Sequence, residues 1–294
     1  MDITYEVDGV ALDDTHQRWV LDADNPHQAT PAVRSAAIAV PGRHGFIPAG
    51  GDVYGAGTLG LRLNVTDIDD TGARQAHVSE DAGFTQLRAN IETLFGIVYK
   101  LHDLVTIRRR VNGAWKRARA RVIASTQPVE LDTYTAQVTF IFELPDPFWY
   151  DDTETTFTTD SLTNGVPTAV DSTELGGGNA PMRPALIMAP GPLSSLEVRD
   201  ANTDRWVKLA ISVLSDEAAL IDTETMKAWI TPDTDQWDSA EGVDVTGALD
   251  SGIGGFAMSP VHDISEGQTV VNLTCTRSGT GGTVSIRTRR AWLQ

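Results

Sequence analysis

The chain has 294 residues, with 23 Lys and Arg against 40 Asp and Glu, a net charge of −17 and a single Cys. Its 41% hydrophobic content is too high for a disordered acidic tail, and one thiol cannot form an internal disulfide. No apolar run approaches the roughly 18 residues of a membrane helix, and the acidic, strand-like N-terminus does not read as a secretory signal.

The acid excess is uneven: residues 1–150 carry −5 and residues 151–294 carry −12. Such a surface disfavours tight nucleic-acid binding. In chain order, 3–10, 17–22 and 32–40 read as strands. Residues 41–57 hold six Gly and two Pro, too many for a regular element, and read as a long loop or arm. Leu59, Leu61, Leu63 and Val65 then alternate along a strand at 58–66. Phe84, Leu87, Ile91, Leu94, Phe95 and Val98 recur at spacings of three and four, which predicts a helix over 79–99. Ser79 is its expected N-cap, and at Gly96 the helix is expected either to end or to be held by packing.

Asn112-Gly113 predicts a two-residue hairpin between strands 104–111 and 114–124. Strand 134–142 runs into Pro145 and Pro147, and a domain boundary is expected close to 150. Residues 151–182 read as a linker with edge strands. Short strands at 184–189, 195–199, 205–211, 217–222, 227–231, 243–249, 269–276 and 282–290 then predict an antiparallel β-sandwich. Ser278 to Gly282 is expected to turn between the last two strands. The chain as a whole reads as mainly β with one helix.

Sequence candidates for catalysis and ligand binding fail on context. Gly55, Gly57 and Gly60 match a dinucleotide fingerprint in letters, but a strand rather than a helix should follow them. Asp67, Asp69 and Asp70 open like a calcium loop, yet Val78 stands where a closing carboxylate belongs. Asp233, Asp235 and Asp238 read as a solvated turn. The six His lack metal-ligand spacing, and no G-x-S-x-G occurs. The chain is read as a non-enzyme with no cofactor.

Two features stand out. Residues 108–121 hold seven basic residues and no acidic ones. Arg117, Arg119 and Arg121 should share one strand face, with Ala118, Ala120 and Val122 on the other. This face could dock on another subunit, be neutralised by nearby Asp and Glu, or touch nucleic acid. Phe148, Trp149 and Tyr150 form an aromatic cluster that reads as a plug between two domains. Trp206, Trp229, Trp237 and Trp292 could instead line a sugar platform, although a sandwich core uses Trp readily.

The order of these features resembles the distal tail protein (Dit) family of long-tailed bacteriophages. The resemblance is carried by PGRHG (41–45) in the Gly-rich arm with Tyr54, by the single helix and following hairpin, by FELPDPFWY (142–150), and by MRPALIM (182–188), ALIDTETMKAWI (219–230) and SIRTRRAWL (285–293). It implies a tail-tube-like ring domain over 1–150 and a galectin-like sandwich over 151–294. It further implies a virion protein, made in the bacterial host cytoplasm. As a hexameric ring this protein would join the tail tube protein to the hub, near tape-measure and receptor-binding proteins. DNA would be transient cargo in the lumen and no membrane would be involved. Arg43, His44, Phe46, Tyr54, Arg108, Arg110, Arg117, Arg119 and Arg121 would then meet neighbouring subunits. The alternative is a carbohydrate-binding module or adhesin using the second domain, although no His-x-Asn-x-Arg type constellation occurs there.

Overall fold

The computed structural model describes residues 3–23, 31–34, 37–39, 46–48, 53–100, 103–183, 185–235 and 237–293. They form two compact units, Met1–Asp152 with Leu293–Gln294, and Thr153–Trp292.

In the first unit, β1 (Thr4–Val7), β2 (Val10–Ala11), β3 (Trp19–Leu21), β4 (Val33–Arg34), β5 (Ala37–Ala39), β6 (Phe46–Pro48), β7 (Val53–Tyr54) and β8 (Gly57–Thr66) precede α1 (Glu80–Val98). The helix is followed by β9 (Val105–Val111), β10 (Ala114–Ser125), β11 (Val129–Asp132), β12 (Thr135–Leu144) and β13 (Trp149–Asp151). One antiparallel sheet runs β2-β1-β9-β10-β12-β8-β3, with β11 added to β12 and β13 to β10. Its longest ladder joins β8 and β12, in register from Gly57↔Leu144 to Thr66↔Thr135. Leu59, Leu61, Leu63 and Val65 from β8, and Val138, Phe140 and Phe142 from β12, are fully buried. Period-2 alternation puts all of them on one face.

Helix α1 covers that face. The Phe95 ring lies edge-on to Phe140 at 5.2 Å, and Leu87, Leu94 and Val98 are buried. The Ser79 hydroxyl accepts from the Ala82 amide at 3.1 Å, and Glu80 and Asp81 sit in the first turn, where the helix dipole favours them. Buried Asn90 donates to the carbonyls of Thr66 and Ile68 at 2.8 and 2.7 Å, satisfying the backbone where β8 ends. Of the two outcomes expected at Gly96 the second holds: the helix continues to Val98, packing outweighing a propensity penalty of about 1 kcal/mol. At the hairpin, Asn112 and Gly113 both take positive φ, 51° and 83°, and Val111 pairs with Ala114 as a two-residue turn requires.

The arm departs from the sequence reading. Residues 41–57 are not simply a loop: β6 and β7 lie within them, and β8 begins at Gly57. The expected strand 32–40 is split into β4 and β5. β4 pairs with β7 through Val33↔Tyr54, and β5 with β6 through Ala37↔Pro48 to Ala39↔Phe46. The two ladders are nested in sequence, as in one long hairpin, and neither joins the main sheet. The Gly and Pro residues fall mainly between the paired segments, where a composition average cannot separate strand from turn.

The second unit comprises β14 (Thr155–Thr158), β15 (Thr168–Ser172), β16 (Ala185–Pro190), β17 (Leu193–Asp200), β18 (Trp206–Leu209), β19 (Ala218–Asp222), β20 (Lys227–Thr231), β21 (Val243–Asp244), β22 (Leu249–Ser251), β23 (Pro260–Asp263), β24 (Gln268–Gly279) and β25 (Ser285–Thr288). One sheet runs β14-β25-β16-β19-β20-β21; the other runs β15-β24-β17-β18-β22, with β23 also on β24. Ile187, Ala219, Ile221 and Ile286 of the first and Val198, Val207 and Cys275 of the second are fully buried. The expected turn at 278–282 does not join a hairpin, since β24 and β25 belong to different sheets. The buried Arg277 guanidinium fastens this crossing by donating to the carbonyls of Thr280, Thr283 and Pro190. The expected strand 243–249 is likewise broken, with a short 3-10 turn at Thr246–Ala248 between β21 and β22.

Candidate assembly interface

The basic hairpin is built from β9 and β10, flanked by β1 on one side and, along β10, by β13 and β12 on the other. Alternation sorts its cations. Val105, Ile107, Ala118 and Ala120 are buried, so Arg108, Arg110, Arg117, Arg119 and Arg121 take the opposite face. Across the strands Glu6 pairs with Arg108, Arg108 with Arg117 and Arg117 with Tyr150.

Part of this face is neutralised within the chain. Arg108 donates to Glu6 at 2.8 Å and to Asp152 at 2.6 and 3.2 Å, and lies over the Trp115 ring at 4.8 Å. The Asp152 bonds, with Glu6, hold its guanidinium above the ordinary arginine range. Arg121 pairs with Glu143. Arg110 reaches the Gly113 carbonyl at 3.4 Å. Arg119 is exposed and has no ion-pair or hydrogen-bond partner among the described residues.

Arg109 points the other way, into the unit, and the sequence reading assigned it no role. Its guanidinium is buried and stacks on Trp149 at 4.1 Å, and its Nε has no hydrogen-bond partner among the described residues. Burial draws its pKa down against the opposing effect of Tyr5, and burial pushes the Tyr5 hydroxyl up. Parity with Val105 and Ile107 is the sequence signal that could have found it.

The aromatic cluster anchors the base of the arm. Tyr54, at the end of β7, is 40% exposed and meets the buried Phe148 edge-on at 5.6 Å. Tyr150 donates its hydroxyl to Asp146 at 2.6 Å. Of the other expected contact residues, Phe46 lies in β6, whereas Arg43 and His44 lie outside the described residues. The candidates thus fall into two groups: Tyr54 with the aromatics below the arm, and the arginines along one sheet face.

Asp67 and Asp69 serve the local backbone. Asp69 closes a turn by accepting from Thr71 and Ala73, and buried Asp67 accepts from the Ala76 amide. Among the described residues no group of three His, Cys, Asp or Glu is placed to hold a metal. Trp237 lies against Arg287 at 4.1 Å and packs with Trp229 onto Met188 and Leu220, so both rings contribute to packing on that sheet.

No family model and no curated protein matches the chain. Among solved structures it aligns with the crystal structure of the SPP1 Dit (gp 19.1) protein, described as a paradigm of the hub adsorption apparatus in phages infecting Gram-positive bacteria. That alignment has a TM-score of 0.61 at 17% identity and covers 99% of both chains. Chains from the phage P2 baseplate in its activated conformation, with calcium and with strontium, align at TM-scores of 0.41 and 0.39 and 11% identity. Both cover 99% of this chain and 98% of theirs. The mainly β architecture with one helix is thus, over nearly its whole length, the fold of the SPP1 Dit protein.

Proposed function

We propose that this chain is a structural, non-enzymatic component of a phage tail tip, assembling as a hexameric ring between the tail tube and the hub. The observation that carries this reading is the fold likeness to SPP1 Dit across 99% of both chains. The arm supports it. Its ladders contribute two and three paired positions and belong to neither unit's larger sheets. A two-stranded ribbon is at best marginally stable in water, so cover from a neighbouring copy would stabilise it. Head-to-tail contacts of this kind close into a ring when the rotation closes.

In this reading Arg43, His44, Phe46 and Tyr54 of the arm meet one neighbour, and Arg110, Arg117 and Arg119 meet an acidic surface of another. Phe148, Trp149 and Tyr150 act within the first unit, against Tyr54, Arg109 and Asp146, and Phe148 steadies the base of the arm. Arg108 and Arg121, paired within the chain, contribute less than Arg119, which has no such partner among the described residues. The ring's lumen passes DNA without holding it, tape-measure protein contacts it during assembly, and the outer unit offers an anchor for receptor-binding proteins. The chain is made in the bacterial host cytoplasm and ends in the virion.

Excising 36–51 and closing the gap with a short Gly-Ser turn keeps β4, β7 and the Tyr54–Phe148 contact. The expected result is an unchanged monomer fold by circular dichroism and no rings in negative-stain images. Rings formed as readily without the arm would refute its role.

A further inference from the structure

Residues 232–242 form an excursion from the sheet β14-β25-β16-β19-β20-β21. They leave it at the end of β20 and return at β21, and the two strands pair at Ile230↔Val243 and Trp229↔Asp244. The segment opens on Pro232, ends on Gly242 and carries Asp233, Asp235, Asp238 and Glu241 without a Lys or Arg. None of its described residues is buried. The hydrogen bonds described along it are short-range. The carboxylates of Asp233 and Asp238 accept from the amides of Asp235 and Ala240, both at 3.1 Å, and the Ser239 carbonyl accepts from the Gly242 amide at 3.1 Å.

Beneath it lies a second apolar cluster. Ala218, Ala219, Leu220 and Ile221 of β19 are all buried, although successive side chains of a strand point to opposite faces. Ala219 and Ile221 share the face of Ile187 and Ile286; Ala218 and Leu220 share the other with Met188, and Leu186, Trp229 and Trp237 pack against these three. Trp237 is what the excursion contributes. Its ring lies 4.1 Å from the Arg287 guanidinium, whose Nε donates to the Thr156 hydroxyl at 3.4 Å. An excursion with short-range hydrogen bonds, no buried residue and an aromatic anchor opens more readily than the sheet under it.

We propose that 232–242 is a releasable strap, and that Trp237 occupies a socket of Met188, Leu220, Trp229 and Arg287 that accepts, in its place, an aromatic side chain flanked by carboxylates on another protein. The present occupant defines that chemistry: Trp237 stands between Asp235 and Asp238 in the sequence, and its ring meets a cation. Tethering gives the strap an effective concentration in the millimolar range. The socket is therefore shut to weak ligands and yields only to one that binds better than the strap does. The strap lies wholly within the second unit, and the proposal stands whether or not the chain forms a ring.

The test uses the full chain and a labelled peptide with the sequence of 233–240, DTDQWDSA, read by fluorescence anisotropy. Trp237→Ala empties the socket, and this variant is expected to bind the peptide at least about tenfold more tightly than the parent does. A peptide with Ala in place of its Trp is expected not to bind, and Arg287→Gln added to Trp237→Ala is expected to weaken binding of the first peptide. Hydrogen exchange on the parent gives a readout that needs no variant: strap amides are expected to lose protection well before those of β19 and β20. No binding to Trp237→Ala, equal binding to parent and variant, or protection of the strap equal to that of β19 would overturn the proposal. So would a fall in the urea midpoint on Trp237→Ala as large as that of a core substitution.

Discussion

The ladder of β8 with β12 and the ladders of the arm use the same antiparallel pairing to opposite ends. In the first, ten positions pair in unbroken register and one face is sealed under α1. In the arm, two and three positions pair, and Gly- and Pro-rich segments separate them. Burial fixes register, because a slip by one residue would turn Leu59, Leu61 and Leu63 out into water. The contrast is between a long ladder sealed within its unit and two short ladders outside the main sheet.

The comparison is broken most severely on the β8 side. Leu63→Ala removes a fully buried side chain and should cost about 2–5 kcal/mol by urea unfolding. Asn90→Ala leaves the Thr66 and Ile68 carbonyls without a donor and should cost about 1–3 kcal/mol. Arm excision should leave both midpoints where they are, and a shift as large as that of Leu63→Ala would show the arm to be part of the core.

The second unit offers a control within the same chain. Cys275 sits in β24 opposite Thr168 on one side and Val198 on the other, and burial pushes its thiol up to about 12. At pH 8 it should resist a thiol reagent until the unit unfolds. The folded state keeps the proton that the unfolded thiol releases above its ordinary 9.0, so stability falls as pH rises from there toward 12. Against a Cys275→Ala reference the loss should be roughly 1.4 kcal/mol for each pH unit in that window. A parallel pH profile for both proteins would contradict it.

The smallest effect belongs to the exposed arginines. Arg121→Ala should change stability by no more than about 1 kcal/mol, since its pair with Glu143 lies at the surface. If it also weakens assembly, Arg121 contributes to a subunit contact despite its partner.

Much of the fold was legible locally. Leucine alternation marked β8, the spacing of Phe84 to Val98 together with Ser79 marked α1, and Asn112-Gly113 marked the hairpin. What escaped depends on pairing across distance. β5 and β6 are short, and their pairing is hidden by the Gly and Pro between them. The crossing after β24 looks like a hairpin turn until Arg277 and the sheet order show where β25 goes. In the candidate interface, the face carrying Arg117, Arg119 and Arg121 followed from period 2. Neutralisation by Asp and Glu was one of its readings, but the partner Glu6 was not legible, because it lies 102 residues away from Arg108 in sequence. Nor was the inward turn of Arg109, in a run of three arginines that reads as uniformly exposed.

The most direct measurement of the central claim is the native mass of the full chain by light scattering across a concentration series, with negative-stain images of the same samples. The account expects a particle of six chains with a central hole, reduced to single chains when 36–51 are excised. A mass of one chain at every concentration, or a six-chain particle indifferent to the arm, would contradict it.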